Sequence, residues 1–264
     1  MRPMSGLGQY VAVDSPLHRL DAAAKIGLVA TLTAGLFMAK GFGGLAVVAA
    51  SVLVAIAASN VPLKAVARGL TAVSFIVALT LLVNALAWEP ASALLRLGPV
   101  GMSEKGLMTG LFFAIRILVL VVGTTLLTLT TSPVRLSSGL ERVMGPLTWL
   151  HVPVGDLAMT LTIALRFIPT TAEEAERIVM AQQVRGAVFD KGGPVRRARA
   201  YAPVLVPLFF QLFRRADALA TAMEARCYRG TEGRTRMNEE RMRGVDWLVM
   251  VAVGTALLAA GWFL

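Results

Sequence analysis

Five apolar stretches, at residues 26–39, 42–59, 69–88, 107–131 and 247–264, constrain this chain more than any motif in it. Four of them carry no charged side chain, and the other carries only Arg116. A helix of about 20 apolar residues crosses the roughly 30 Å hydrocarbon core of a bilayer. The chain is 56% hydrophobic and 16% charged, where a soluble domain carries about 25% charge. Lipid is therefore the expected solvent, and the expected fold is an all-α membrane protein with about five transmembrane helices. The first run is short for a span. It must start before Lys25 or tilt little, with Lys25 and Lys40 snorkelling at its ends. Only residues 40–44 separate it from the second run, which suits a tight hairpin. Trp88, Trp247 and Trp262 fall at span ends, where aromatic anchoring is expected. The first apolar run passes straight into a second, so no signal peptide is read.

The charge gathers elsewhere. Residues 132–246 hold 17 of the 26 Lys+Arg and 12 of the 16 Asp+Glu. Three segments follow: 1–131 with four spans, 132–246 facing water, and 247–264 as a last span. The net charge of +10 comes without an aromatic-interleaved basic platform or zinc spacing, so no nucleic-acid partner is expected. Lys and Arg concentrate instead on the non-translocated side of a membrane. The loop after the second span carries Lys64 and Arg68 with no acid, while Glu89, Arg96, Glu104 and Lys105 cancel in the next. This puts the N-terminus and the charged block in the cytoplasm and the C-terminus outside.

Near the start, Asp14-Ser15-Pro16 reads as a helix start with Pro16 at or near the first helical position. Within the block, Val134, Leu136, Leu140, Val143 and Met144 form an apolar stripe. An apolar stretch then runs from Gly155 to Leu165 and meets Arg166-Phe167-Ile168-Pro169. Thr170-Thr171-Ala172-Glu173 fits a capping box, so Pro169 is either a helix restart or a kink in one long helix. Glu173, Glu174 and Glu176 would then lie near the positive end of the helix dipole, and Arg185 near the negative end. The stretch 202–213, apolar but containing Pro203 and Pro207, is too short to span and too proline-rich for a straight core helix. An interfacial or re-entrant position is expected for it.

Two helical stretches end alike, in Val184-Arg185-Gly186 and, 41 residues later, Ala225-Arg226-Cys227. Gly186 can close the first helix in the left-handed conformation. Taken singly, each arginine is one basic residue among many on the cytoplasmic side. As a pair, each offers a planar five-donor fork between small neighbours, and two such tips suit a partner with two similar grooves, such as a dimer. The chain has no G-x-x-x-x-G-K-[ST] loop, H-E-x-x-H or G-x-S-x-G, so no enzyme chemistry is read, and energy must come from another protein. Cys227 is the only cysteine, and His18 and His151 are isolated, so neither a metal nor a cofactor is expected. Arg116 is open to three readings: an intramembrane functional group, a structural pairing, or a span that starts later.

These residues together resemble the transmembrane T component of energy-coupling factor (ECF) vitamin transporters, the EcfT family. The resemblance covers essentially the whole length. It rests on Asp14-Ser15-Pro16-Leu17-His18-Arg19-Leu20-Asp21, on Arg166-Phe167-Ile168-Pro169 with its acidic turn, and on two motifs similar to Ala-Arg-Gly. The chain departs from that pattern at Val184 and at Cys227. The second departure leaves open whether that helix closes at Cys227 or only near Gly230. The resemblance implies a membrane anchor of four to six spans in the bacterial plasma membrane, with long cytoplasmic coupling helices crossing like an X. It further implies that Val184-Arg185-Gly186 and Ala225-Arg226-Cys227 dock into grooves on two ABC-type ATPases. Nucleotide binding would bring these together and act on a separate substrate-binding S component, which topples in the membrane. Val204, Leu205, Leu208, Phe209 and Leu212 are the candidate S-component contacts. The alternative, a stand-alone secondary transporter, expects an inverted repeat and ionisable groups at mid-membrane, and only Arg116 qualifies. A membrane enzyme acting on a phosphorylated lipid would need a carboxylate or histidine cluster that the sequence lacks.

Overall fold

The computed structural model of the protein describes residues 10–11, 13–87, 93–97, 100–189, 193–230 and 242–263. They form two compact units, one from residues up to Pro146 together with those from Glu239, the other from Leu147–Asn238. Trp88 and the charged loop 231–241 lie outside the described residues.

The first unit is an assembly of helices: α1 (Pro16–Arg19), α2 (Ala22–Met38), α3 (Phe42–Ser59), α4 (Leu63–Ala85), α5 (Glu104–Thr130), α6 (Pro133–Val143) and, from the chain's end, α9 (Gly244–Phe263). Four of these, α3, α4, α5 and α9, are long and apolar enough to cross a membrane, and α2 is a shorter apolar helix of 17 residues. The protein is thus a multi-pass, all-α membrane protein. One small sheet is added in the connection from α4 to α5. It comprises β1 (Leu86–Ala87), β2 (Ala93–Leu97) and β3 (Val100–Ser103) in the antiparallel order β1-β3-β2. No strand was expected there. Ala-Leu-Leu-Arg-Leu contains no β-branched or aromatic residue, so pairing with neighbours rather than local preference makes it a strand.

The sequence Asp14–Asp21 is a chain of local caps. Ser15 Oγ accepts from the His18 amide at 3.3 Å, with Pro16 at the first position of α1, as the sequence predicts. His18 is buried, its ring held between Ser15 Oγ at 2.7 Å and the Val11 carbonyl at 3.1 Å. Asp21 caps α2 by accepting from the Ala23 amide at 2.7 Å, and its other oxygen accepts from Arg142 Nη1 on α6 at 2.7 Å. A Cβ on Gly139 would stand 2.8 Å from Ala22, so α6 lies directly on the start of α2. Along α2, α9 runs parallel to it, and a Cβ on Gly261 would meet the Gly35 carbonyl oxygen at 2.5 Å. Small residues at that seam let the two backbones touch. Leu32, Leu36, Leu45, Val48, Val52, Val119 and Leu257 form the buried core between α2, α3, α5 and α9.

Two basic side chains in this unit behave differently from a snorkelling lysine and a functional intramembrane arginine. Lys25 is buried rather than snorkelling: its Nζ donates to the Thr130 carbonyl at 3.0 Å and to Thr131 Oγ1 at 3.2 Å. The last carbonyls of α5 have no intrahelical partner and carry the negative end of the dipole, which a cation satisfies. Arg116 does the same for α2, donating through Nη2 to the carbonyl of Ala39, the C-cap residue. Its guanidinium lies 4.6 Å from the centre of the Phe112 ring and 5.9 Å from that of Phe37. The structural pairing is therefore the reading that holds. Lys25 and Ala39 are 14 residues apart on α2, as are Arg116 and Thr130 on α5, so these helices lie antiparallel and in step. The turn between α2 and α3 ends level with Arg116, and the first twelve residues of α5 run on beyond it beside α4.

The second unit is built on two long helices, α7 (Val154–Val184, 31 residues) and α8 (Pro194–Ala225, 32 residues), which pack on each other. α7 decides between the two readings of Pro169, and α8 corrects the reading of residues 202–213. α7 runs unbroken through Pro169, so Pro169 is an interior proline and not a restart, and Thr170 and Thr171 sit within the helix instead of capping it. The acidic residues Glu173, Glu174 and Glu176 are consequently mid-helix, away from the positive dipole end. Residues 202–213 are not a separate re-entrant piece: α8 continues through Pro203 and Pro207. A proline costs a helix one amide bond, to the carbonyl four residues back. Pro203 and Pro207 are one turn apart, so both losses fall on one face, and packing along the rest of a 32-residue helix outweighs them.

Candidate functional site

The two arginine motifs sit on helix ends of the same construction. Arg185 is the C-cap of α7 and Arg226 the C-cap of α8. After Arg185, the Gly186 amide donates to the Gln183 carbonyl at 3.0 Å and the Ala187 amide to the Gln182 carbonyl at 2.9 Å. After Arg226, the Cys227 amide donates to the Glu224 carbonyl at 2.9 Å and the Tyr228 amide to the Met223 carbonyl at 3.0 Å. Each is the paired-bond Schellman closure, which requires a left-handed residue just past the cap. Gly186 supplies it with φ +91°, and Cys227 with φ 56°. The second helix therefore closes at Cys227, and Gly230 (φ +96°) turns the chain again further on.

The closure explains the position of each arginine and the residue that follows it. A Schellman end turns the chain sharply away, so the C-cap side chain stands at the tip. Arg185 and Arg226 are both exposed, as are Val184, Gly186, Ala225 and Cys227. Among the described residues neither guanidinium meets a carboxylate. Ten donors on two projecting, unpaired forks form a surface for carboxylates or carbonyls of another molecule.

The residues expected to face a membrane partner divide. Leu205 and Phe209 are exposed, one turn apart on α8; Leu208 and Leu212 are half-buried; Val204 is buried and unavailable. Val206, Phe210 and Phe213 extend the exposed apolar surface beyond the predicted set.

One part of this unit was missed in the sequence. Arg215 of α8 donates through Nη2 to Glu174 Oε1 of α7 at 2.6 Å, and its guanidinium lies 5.6 Å from the centre of the Phe167 ring. Phe167 belongs to the Arg166–Pro169 signature and shares a face of α7 with Glu174, two turns away. The available signal was the offset. Glu174 and Arg215 are 41 residues apart, the separation of the two motif arginines.

Fold and site together describe a multi-pass membrane protein that carries two matched, exposed arginine tips. The chain matches the family described as CbiQ, cobalt transport protein, over residues 14–237. It is 44% identical over 255 residues to the energy-coupling factor transporter transmembrane protein EcfT of Thermosediminibacter oceani, covering 97% of this chain and 95% of that one. The EcfT of Heliobacterium modesticaldum is also 44% identical, over 257 residues (97% and 96%), and that of Listeria innocua 40% over 247 residues (94% and 93%). The chain belongs to this EcfT family, the transmembrane coupling proteins of ECF transporters.

Proposed function

We propose that the chain joins two cytoplasmic ABC-type ATPase subunits to a membrane S component that carries a vitamin or micronutrient. Arg185 and Arg226 anchor one ATPase each, with Val184, Gly186, Ala225 and Cys227 clearing the approach for the partner backbone. Leu205, Phe209 and the neighbouring apolar side chains of α8 bear on the S component. The observation that carries this reading is the identity of the two tips: the same cap residue, the same pair of backbone bonds and the same left-handed exit. Two copies of one docking element call for two copies of one receptor, as a dimer of related ATPases provides. The loop charges favour an orientation with both tips, the N-terminus and the block 132–246 on the cytoplasmic side of a bacterial plasma membrane and the C-terminus outside.

The test is a detergent pull-down with the doubly reversed variant Arg185→Glu/Arg226→Glu. Leaving one charge of a desolvated contact unpaired costs about 2–5 kcal/mol, so reversal at both tips should release the ATPases. Retention of both ATPases by the double variant refutes the assignment.

A further inference from the structure

We propose that the Glu174–Arg215 pair is the hinge pin of the second unit: it fixes the point about which α7 and α8 pivot and so sets the separation of the two arginine tips. This rests on the coupling reading above, in which each tip holds one ATPase, so that a change in tip separation moves the ATPases relative to each other.

Three observations carry it. The first is symmetry of position. Arg185 lies eleven residues beyond Glu174, and Arg226 eleven beyond Arg215. At 1.5 Å per residue each arm is about 16 Å long. Two stiff arms of equal length joined at one point convert an angle at the joint into a distance between the tips.

The second is the form of the contact. It is made by one pair of atoms only, Nη2 and Oε1; the other carboxylate oxygen, Oε2, and the other amino nitrogen, Nη1, are buried with no hydrogen-bond partner among the described residues. A two-bond fork locks the relative orientation of arginine and carboxylate, whereas one bond leaves it free to turn. The third is the Phe167 ring beside the guanidinium. Cation–π attraction holds a guanidinium against a ring face, so the ring keeps Arg215 beside α7. Arg215 is thus a positioning residue. It lies about three turns from the tip and acts on docking only through geometry.

The test measures tip separation directly. Cys227 is the only native cysteine, so a Cys227→Ser background accepts spin labels at Val188→Cys and Arg229→Cys, two exposed sites outside the motifs. Pulsed electron resonance on the full-length chain in nanodiscs should give a narrow distance distribution. Glu174→Ala should broaden it, and reversal of both charges, Glu174→Arg/Arg215→Glu, should narrow it again. In the assembled transporter Glu174→Ala should lower uptake while both ATPases still copurify. Arg215→Gln, which removes the cation that faces both Glu174 and Phe167, serves if the alanine variant does not fold, and should broaden the distribution too. An unchanged distribution in these variants overturns the hinge. The distance measurement needs no ATPase, so it tests the hinge even if the tip-docking reading fails in the pull-down.

Discussion

Replacing Cys227 with glycine should stabilise the end of α8. Cys227 holds φ 56° in a closure that glycine serves at the equivalent position of α7. A side chain in the left-handed region costs about 1–2 kcal/mol from the approach of Cβ to the following carbonyl oxygen. Glycine removes that term but makes the unfolded chain freer, which takes back about 0.4–1 kcal/mol. The net gain is about 0.5–1 kcal/mol, or about two- to fivefold in the opening equilibrium of the helix end. The two amides that make the closure, Cys227 to Glu224 and Tyr228 to Met223, report that opening by hydrogen exchange. In Cys227→Gly the residue-227 and Tyr228 amides should exchange slower by that factor. Cys227→Ala keeps the Cβ and should leave the rate unchanged. Gly186→Ala introduces the same strain at the other tip and should speed exchange of the Ala187 amide by a similar factor. If Cys227→Gly and Gly186→Ala leave exchange at their helix ends unaltered, the left-handed strain is not there and the argument from the closure fails.

Two further outcomes follow from contacts near the start of α2. Asp21→Asn keeps an oxygen to cap α2 but removes the charged acceptor of the Arg142 Nη1 bond. Breaking a buried pair costs about 3–5 kcal/mol, and because Arg142 is 27% exposed the expected loss is nearer 2–3 kcal/mol, read as a lower midpoint of thermal unfolding in detergent. The Asp14 carboxyl is held below the ordinary carboxylate range by the hydrogen bonds from Arg19 and by its charge. A depressed carboxyl pKa makes this contact present above that range and lost as pH falls through the lowered value. Carboxyl-carbon resonances should show Asp14 titrating higher in Arg19→Gln, and no change on that substitution would refute the pairing.

What the sequence determined by itself was whatever depends on short stretches of chain. Hydropathy is local, so the apolar runs located α2, α3, α4, α5 and α9, with ends off by up to six residues where charged side chains such as Lys64 and Arg68 lie inside a helix. Capping is local too: Ser15-Pro16 starts α1 and Gly186 ends α7 with bonds that reach no further than five residues. Even the equivalence of the two arginine tips was legible, because a helix end is built from its own last turn. At Cys227 locality ran out, since a cysteine has no intrinsic preference for the left-handed region that chose it over Gly230.

Tertiary structure decided everything that joins distant residues. Lys25 meets Thr130 across 105 positions and Asp21 meets Arg142 across 121, and no window of sequence contains either pair. The same holds for Arg116, whose charge looked anomalous only until the end of α2 arrived beside it. Pro169 leaves two readings open, and Pro203 with Pro207 argues against a straight helix, because a proline's local penalty is certain while the packing that outweighs it exists only once the helices are assembled. Glu174 and Arg215 follow the same rule. Their separation in sequence was visible from the start, but only the packing of α7 on α8 made them a contact.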